Sequence, residues 1–318
     1  MNITFLDRAT IDLNDMDFSS VESCGQFISY PNSTYEEIIS RSRSADIIIA
    51  NKAPITQPVL ESCNNLKLIA VIATGYNNVD LDNAKNRGVT VCNVAGYAKN
   101  TVPQHTFSLI LNLATKVYLY NIDVTAGEWQ KSSIFTLLKY PTFELFGKTI
   151  GIIGFGVIGQ AVAHIAASFG LKVIYYDPHV PQNKTRTFVD LNTLLKDSDI
   201  VTIHCPLTNE TYNLIGKEEI SIMKSSALLI NTSRGGIVNE NALADALNNN
   251  LIAGAGVDVL SEEPPVNGNV LLSAKNCIIT PHSAWSTIEA RQTLVNETAA
   301  NIKAFLNGER RNVVNKID

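Results

Sequence analysis

The chain has 318 residues, of which 45% are hydrophobic and 17% charged, with a net charge of −5. That length predicts two domains of ordinary size, and the balance is that of a globular protein rather than a disordered one. The densest basic cluster, Arg310-Arg311, reads as a solvated end, so nucleic acid is not an expected partner. No uncharged apolar run approaches the roughly 20 residues that span a bilayer, and the N-terminus lacks a secretory pattern.

In chain order, short apolar runs at Ile3–Asp7, Asp46–Ala50, Lys67–Ile72 and Val89–Val94 predict strands, with an amphipathic helix at Tyr35–Ser42. A long helix is expected from about Asn100 to Asn121, capped by Thr101 and with Pro103 in its first turn. Val124–Gly147 shows no clean period and reads as an irregular arm. A second alternation then follows. Its predicted strands are Thr149–Ile153, Lys172–Asp177, Ile200–His204, Ala227–Thr232, Gly254–Val259 and Cys277–Thr280. Helices are expected at Val157–Phe169, Leu191–Lys196, Lys217–Met223 and Glu240–Asn248, and a last one at about Thr287–Leu306.

Strand–helix alternation implies α/β architecture with parallel sheets. The last helix has no strand after it to pair with, so it is expected to fold back onto the N-terminal domain. The organisation expected is therefore residues 1–99 plus 286–318 as one discontinuous domain, with residues 100–285 as a second domain inserted into it.

The five cysteines, Cys24, Cys63, Cys92, Cys205 and Cys277, are odd in number and widely spaced, with no CxxC. This argues against a disulfide framework and a zinc site and fits a reducing cytoplasm. Cys92, Cys205 and Cys277 lie in strand-like runs and read as buried apolar thiols.

Gly154-Phe-Gly156-Val-Ile-Gly159 follows an apolar strand and opens a helix. Gly154 permits the tight turn, Gly156 a close approach of backbone to pyrophosphate, and Gly159 close helix–strand packing. The helix N-terminus offers free N–H groups to the phosphates. The next strand ends at Asp177, where a carboxylate accepts hydrogen bonds from adenosine ribose hydroxyls and repels a 2′-phosphate. NAD is the expected cofactor, although His179, Lys184 and Arg186 lie just beyond and could partly tolerate a phosphate.

Three polar residues sit where the carboxyl ends of strands are expected: Arg234, Glu263 and His282. A histidine can give a proton to a keto oxygen near neutral pH, and a carboxylate on its other ring nitrogen orients the ring. A guanidinium suits a carboxylate and a developing alkoxide. Each residue taken singly is as readily a cap, an ion-pair partner or a solvated loop charge. Behind a dinucleotide signature the three together point to a dehydrogenase of small 2-keto acids.

On Thr74-Gly-Tyr-Asn-Asn-Val-Asp80, Gly154–Gly159, His204-Cys-Pro-Leu-Thr208, Asn231-Thr-Ser-Arg-Gly235, Gly256-Val-Asp-Val259, Glu263-Pro264 and Pro281-His-Ser-Ala284, the chain resembles the D-isomer-specific 2-hydroxyacid dehydrogenases along essentially its whole length. Val102-Pro-Gln-His-Thr106 and Trp285 bring it nearest to the glycerate dehydrogenase (hydroxypyruvate reductase) branch. Two Rossmann-like or flavodoxin-like domains are implied, with the NAD domain inserted into the substrate domain.

The resemblance implies that His282 is the acid/base, Glu263 its partner and Arg234 the substrate-binding residue, with backbone N–H groups of Thr74 and Gly75 on the substrate carboxylate. For NAD it implies Val157 and Ile158 at the phosphates, Asp177 at the ribose, and Cys205 and Pro206 along the adenine side. Thr232 would lie near the nicotinamide ribose and Asp258 at the carboxamide, with Ser233, Arg234, His282 and Ala284 completing the cofactor contacts. It also implies a homodimer through the NAD domain, with the Val124–Gly147 arm contributing. Pro103 and Ser283 depart from the branch's usual residues without removing a named role. Lys52 reads as a solvated strand-end lysine that could reach the substrate carboxylate.

The expected substrate is hydroxypyruvate/D-glycerate, with glyoxylate or pyruvate/D-lactate as alternatives. An NADH-sensing corepressor would be expected to carry an added tail, and a phosphoglycerate dehydrogenase a C-terminal regulatory domain; neither is seen. A formate dehydrogenase would have an amide at the position of Glu263.

Overall fold

A computed structural model describes residues 1–180 and 186–315. The chain divides into two compact units, Met1–Tyr97 with Ser286–Asp318, and Ala98–Trp285. The first unit runs β1 (Asn2–Phe5), α1 (Ser19–Glu22), β2 (Gln26–Ser29), α2 (Tyr35–Ser42), β3 (Ile47–Ala50), α3 (Gln57–Ser62), β4 (Leu68–Val71), α4 (Leu81–Asn86) and β5 (Thr90–Cys92). The second unit opens with α5 (Thr101–Thr115) and α6 (Val117–Thr125). It continues with β6 (Thr149–Ile153), α7 (Val157–Ser168), β7 (Lys172–Tyr176), β8 (Thr187–Phe188), α8 (Leu191–Asp197), β9 (Ile200–Ile203), α9 (Lys217–Ser221), β10 (Leu228–Asn231), α10 (Glu240–Asn248), β11 (Gly254–Val257) and β12 (Cys277–Ile279). The chain then returns to the first unit as α11 (Ile288–Leu306).

The first sheet is parallel, in the order β2-β1-β3-β4-β5. This is the flavodoxin-like order, with its switch point between β1 and β3. One face of it packs Ile48, Ile69, Val71 and Val91 against Val59 and Leu60 of α3 and Ala84 of α4. α11 lies over α1 and β4. Its Arg291 grips Asp15 with two hydrogen bonds of 2.7 Å each. The Asn301 side chain donates to the Asn93 carbonyl at 2.8 Å.

The second sheet is parallel in the order β12-β11-β10-β9-β6-β7-β8. Successive residues of a strand point to opposite faces. Ile150, Ile152, Leu228 and Ile230 accordingly join α5 and α7 in one core, while Ile153, Val201, Ile203 and Leu229 join α8, α9 and α10 in the other. Both faces are covered, which is why these strands read as unbroken apolar runs.

The expected single helix over residues 100–121 is two helices. Lys116 takes φ +56 between α5 and α6, a left-handed conformation that ends α5 without a glycine. Asn100, not Thr101, is the N-cap residue, and no side chain caps that end. Cys92 is buried, but Cys205 and Cys277 are only half-buried, and Cys205 follows β9 rather than lying in it. Burial still pushes the Cys92 and Cys277 thiols up to about 12 and the Cys205 thiol to about 11, which keeps all three protonated near neutral pH. No helix among the described residues is long and apolar enough to cross a membrane.

Candidate active site

The chain crosses from β8 to β9 by reversing direction in the sheet, so β6 and β9 flank the switch point. Ligands of open α/β sheets sit beyond the strands' carboxyl ends at such a point. Gly154 follows β6 with φ +90, and a Cβ there would lie 2.5 Å from the Cys205 backbone nitrogen. A Cβ on Gly159 would strike the Gly154 carbonyl. Two of the three glycines are therefore required by the chain's own packing.

Gly156 differs. It sits at the N-terminus of α7 in an ordinary extended conformation, φ −69, and a Cβ there would meet nothing within 4 Å. The space in front of it is open, next to N–H groups of the first turn of a 12-residue helix. Val157 is exposed and Ile158 half-buried in that first turn. A pyrophosphate fits this seat.

At the end of β7, Asp177 accepts from the Phe155 N–H at 2.7 Å and from the His179 N–H at 2.9 Å. These bonds tie the glycine loop to the next strand. Each carboxylate oxygen still has a lone pair for a ribose hydroxyl. Of the residues beyond it, Lys184 lies outside the described residues. Pro206 is exposed after β9, and Ser233 Oγ donates to the Cys205 carbonyl in a short bond that joins the β9 and β10 loops. His204, beside them, is pushed down to about 3 by burial and so is neutral, with Nε2 2.9 Å from Thr202 Oγ1.

Arg234, Glu263 and His282 follow β10, β11 and β12, three neighbouring strands. His282 Nδ1 lies 2.6 Å from Glu263 Oε2, and Glu263 Oε1 accepts from the Leu260 N–H at 2.9 Å. The carboxylate is thus held at one oxygen by backbone and at the other by the imidazole. A Cβ on Gly235 would run into the Leu260 carbonyl, so the Arg234 loop is pressed against the same turn that positions Glu263. Arg234 itself is exposed, with Nη1 donating to the Ser233 carbonyl at 2.7 Å.

Two residues hold these loops that sequence reasoning gave no such task. Asn231 donates to the Arg234 carbonyl at 2.9 Å and accepts from the Ser233 N–H at 3.0 Å, fixing the turn on which the arginine stands. Its place in the Asn-Thr-Ser-Arg run was the available signal. Asp258 is 1% exposed, and its carboxylate accepts from Thr280 Oγ1 at 2.5 Å and from the Ser283 and Ala284 N–H groups at 2.9 Å each. Its carbonyl accepts from the His282 N–H at 2.8 Å. His282 has φ +53, a region that costs a non-glycine residue about 1–3 kcal/mol and persists only where the surroundings impose it. Asp258 supplies that imposition from both its backbone and its side chain.

Thr232 is buried, with its hydroxyl 3.0 Å from that of Thr106. Thr74 and Gly75 follow β4 in the first unit. Thr74 Oγ1 donates to the Val94 carbonyl at 2.9 Å, and the Thr74 carbonyl accepts from Asn93 Nδ2 at 2.7 Å.

The profile of the D-isomer specific 2-hydroxyacid dehydrogenase NAD-binding domain matches residues 107–284. The chain is 41% identical over 322 residues to the hydroxypyruvate reductase of Blautia hydrogenotrophica, covering 99% of this chain and 100% of that protein. It is 43% identical over 314 residues to the glycerate dehydrogenase of Methylorubrum extorquens, covering 98% of each. The fold matches the D-lactate dehydrogenase of Aquifex aeolicus, solved with NAD and lactic acid, at a TM-score of 0.83 and 28% identity over 100% of this chain and 99% of that one. With a glycine seat shaped for a dinucleotide and a carboxylate-held imidazole on the same sheet edge, the chain belongs to the D-isomer specific 2-hydroxyacid dehydrogenases, NAD-dependent oxidoreductases of small 2-keto and D-2-hydroxy acids.

Proposed function

We propose that this enzyme interconverts hydroxypyruvate and D-glycerate, with the first unit binding the acid and the second the cofactor. The observation that carries the reading is the 2.6 Å bond between His282 Nδ1 and Glu263 Oε2. When bound, NADH supplies the hydride that reaches the keto carbon. With Nδ1 engaged by the carboxylate, His282 keeps Nε2 for the substrate, holding there the proton that the carbonyl oxygen takes up. The Glu263 carboxylate, 2.6 Å from Nδ1, fixes the plane of the ring. Arg234 presents planar donors to the substrate carboxylate and the developing alkoxide. The first unit's proposed contribution to binding the acid is the backbone N–H groups of Thr74 and Gly75, after β4. In the cofactor seat, Val157 and Ile158 would hold the phosphates, Asp177 the ribose, and Thr232 and Asp258 the nicotinamide half.

The likeness to a hydroxypyruvate reductase and a glycerate dehydrogenase supports this substrate. A cytoplasmic homodimer is the proposed working form. The arm between α6 and β6 exposes Trp129, Ile134, Phe135, Leu138 and Phe146, an apolar surface suited to a second copy. The described cysteines are free thiols, in keeping with a reducing compartment.

The decisive assay follows NADH absorbance with a panel of 2-keto acids. Hydroxypyruvate is expected to give the highest kcat/KM. Arg234→Ala and His282→Ala are expected to lose about 10²–10⁴-fold in kcat/KM while staying folded. A wild-type rate in either variant would remove the mechanism, and absence of turnover with every acid would favour an NADH-sensing protein.

A further inference from the structure

The run Val102-Pro-Gln-His-Thr106 lies in the first turns of α5, away from the strand ends that carry the reacting groups. Its polar side chains nevertheless reach those ends. His105 Nε2 is 2.9 Å from Thr280 Oγ1, and that hydroxyl donates to Asp258 Oδ1 at 2.5 Å. A hydroxyl has one proton, and the carboxylate takes it. His105 therefore donates from Nε2, and Thr280 accepts. His105 Nε2 also stands 3.5 Å from Asp258 Oδ1 itself.

One turn earlier on the helix, Thr101 Oγ1 donates to the buried Ala284 carbonyl at 2.9 Å. One residue beyond His105, Thr106 gives its proton to the Val102 carbonyl, which leaves Thr232 to donate to Thr106 across 3.0 Å. Three side chains of one helix thus bind the loops after β10 and β12, and through Thr280 the middle one reaches Asp258 after β11. Between two of them stands His282, in a backbone conformation held by Asp258.

Resting on the reading of His282 as the acid/base, we infer that His105 is a positioning residue for the reaction. From α5 it locks the Thr280 hydroxyl onto Asp258, and Asp258 in turn fixes the 282–284 turn that presents the imidazole. The lock is a directed relay, His105 to Thr280 to Asp258, with two backbone N–H groups arriving from the other side. Removing the first donor frees Thr280 to rotate, and the Asp258 carboxylate loses its defined orientation. The imidazole loses alignment, not its chemical identity.

The test uses the full-length enzyme, NADH and hydroxypyruvate. His105→Leu fills the volume without a donor, and His105→Gln restores an N–H near the place of Nε2. His105→Leu is expected to lower kcat by roughly tenfold or more, since misplacement by about 1 Å can cost about 100-fold. His105→Gln recovers most of the loss. Thr280→Val reproduces it, and combining Thr280→Val with His105→Leu adds little. In a His282→Ala background, His105→Leu has no further effect on kcat.

A wild-type kcat in His105→Leu, with His282→Ala inactive, overturns this inference alone. So does a loss in His105→Leu that multiplies fully with that of His282→Ala, or one that Gln does not repair. A wild-type rate in His282→Ala overturns the acid/base reading and the inference with it. Should His105→Leu fail to fold, Thr280→Val carries the same test, and a wild-type kcat there overturns the proposal.

Discussion

The glycines after β6 separate what the fold needs from what the cofactor needs. At Gly154 a side chain would enter backbone that is already close, in a left-handed conformation. At Gly156 it would point into open space from an ordinary conformation. Gly156→Ala is therefore expected to keep the wild-type Tm and to weaken NADH binding at least tenfold, about 1.4 kcal/mol. Gly154→Ala is expected to lower Tm, by strain and clash on the order of 1–3 kcal/mol. Fluorescence titration with NADH beside thermal melts separates the two, and an unchanged NADH Kd in Gly156→Ala would show that the open space is not the phosphate seat. At this scale much was legible. Asp177, Glu263 and His282 were readable because spacing after a strand encodes position at its carboxyl end. The loop-holding bonds of Asn231 and Asp258 were not, because the Asn-Thr-Ser-Arg run marks the turn on which Asn231 stands but not the hydrogen bonds through which either residue works.

The elements follow the apolar periods closely where both faces of a sheet are covered. α2 and α10 occupy Tyr35–Ser42 and Glu240–Asn248, the ranges expected. The failures have local causes. The apolar period runs on from Leu113 through Val117, and neither glycine nor proline marks the break that Lys116 makes. β2 is an edge strand of four residues, half in solvent, whose alternation is too short to stand out. α11 shows an element held by charge as well as by packing. The Arg291 guanidinium lowers the Asp15 carboxyl to about 2, and it also donates to the Ile11 carbonyl at 3.2 Å. A carboxyl depressed in the folded state adds stability above its unfolded value, near 3.9, and loses it as pH falls through the folded one. Asp15→Asn is expected to lower Tm at pH 7. The Tm gap to wild type should close as pH drops from about 4 to about 2. A gap that stays constant across that window would mean the pair contributes nothing through charge.

At the scale of the whole molecule, the two units differ in how their chain is assembled. The second unit is continuous, Ala98–Trp285, and contains both cores of its sheet. The first needs both ends of the sequence. Leu294, Val295 and Ile302 of α11 are buried to within 1%. Asn315 at the tail accepts from the Val91 N–H at 2.7 Å and donates to the Val89 carbonyl at 2.8 Å. Burying three such side chains is worth roughly 1.5–3 kcal/mol each. That sum is comparable with the whole stability of a domain, about 5–15 kcal/mol. A fragment of residues 98–285 is therefore expected to fold alone and to bind NADH. Residues 1–97 alone should lack a cooperative unfolding transition until a peptide of residues 286–318 is added. Circular dichroism melts and NADH fluorescence on the separate fragments check both halves of this expectation. A cooperative melt from residues 1–97 alone would mean that α11 covers a core already complete without it, and that the fold-back of the last helix is an attachment rather than a requirement.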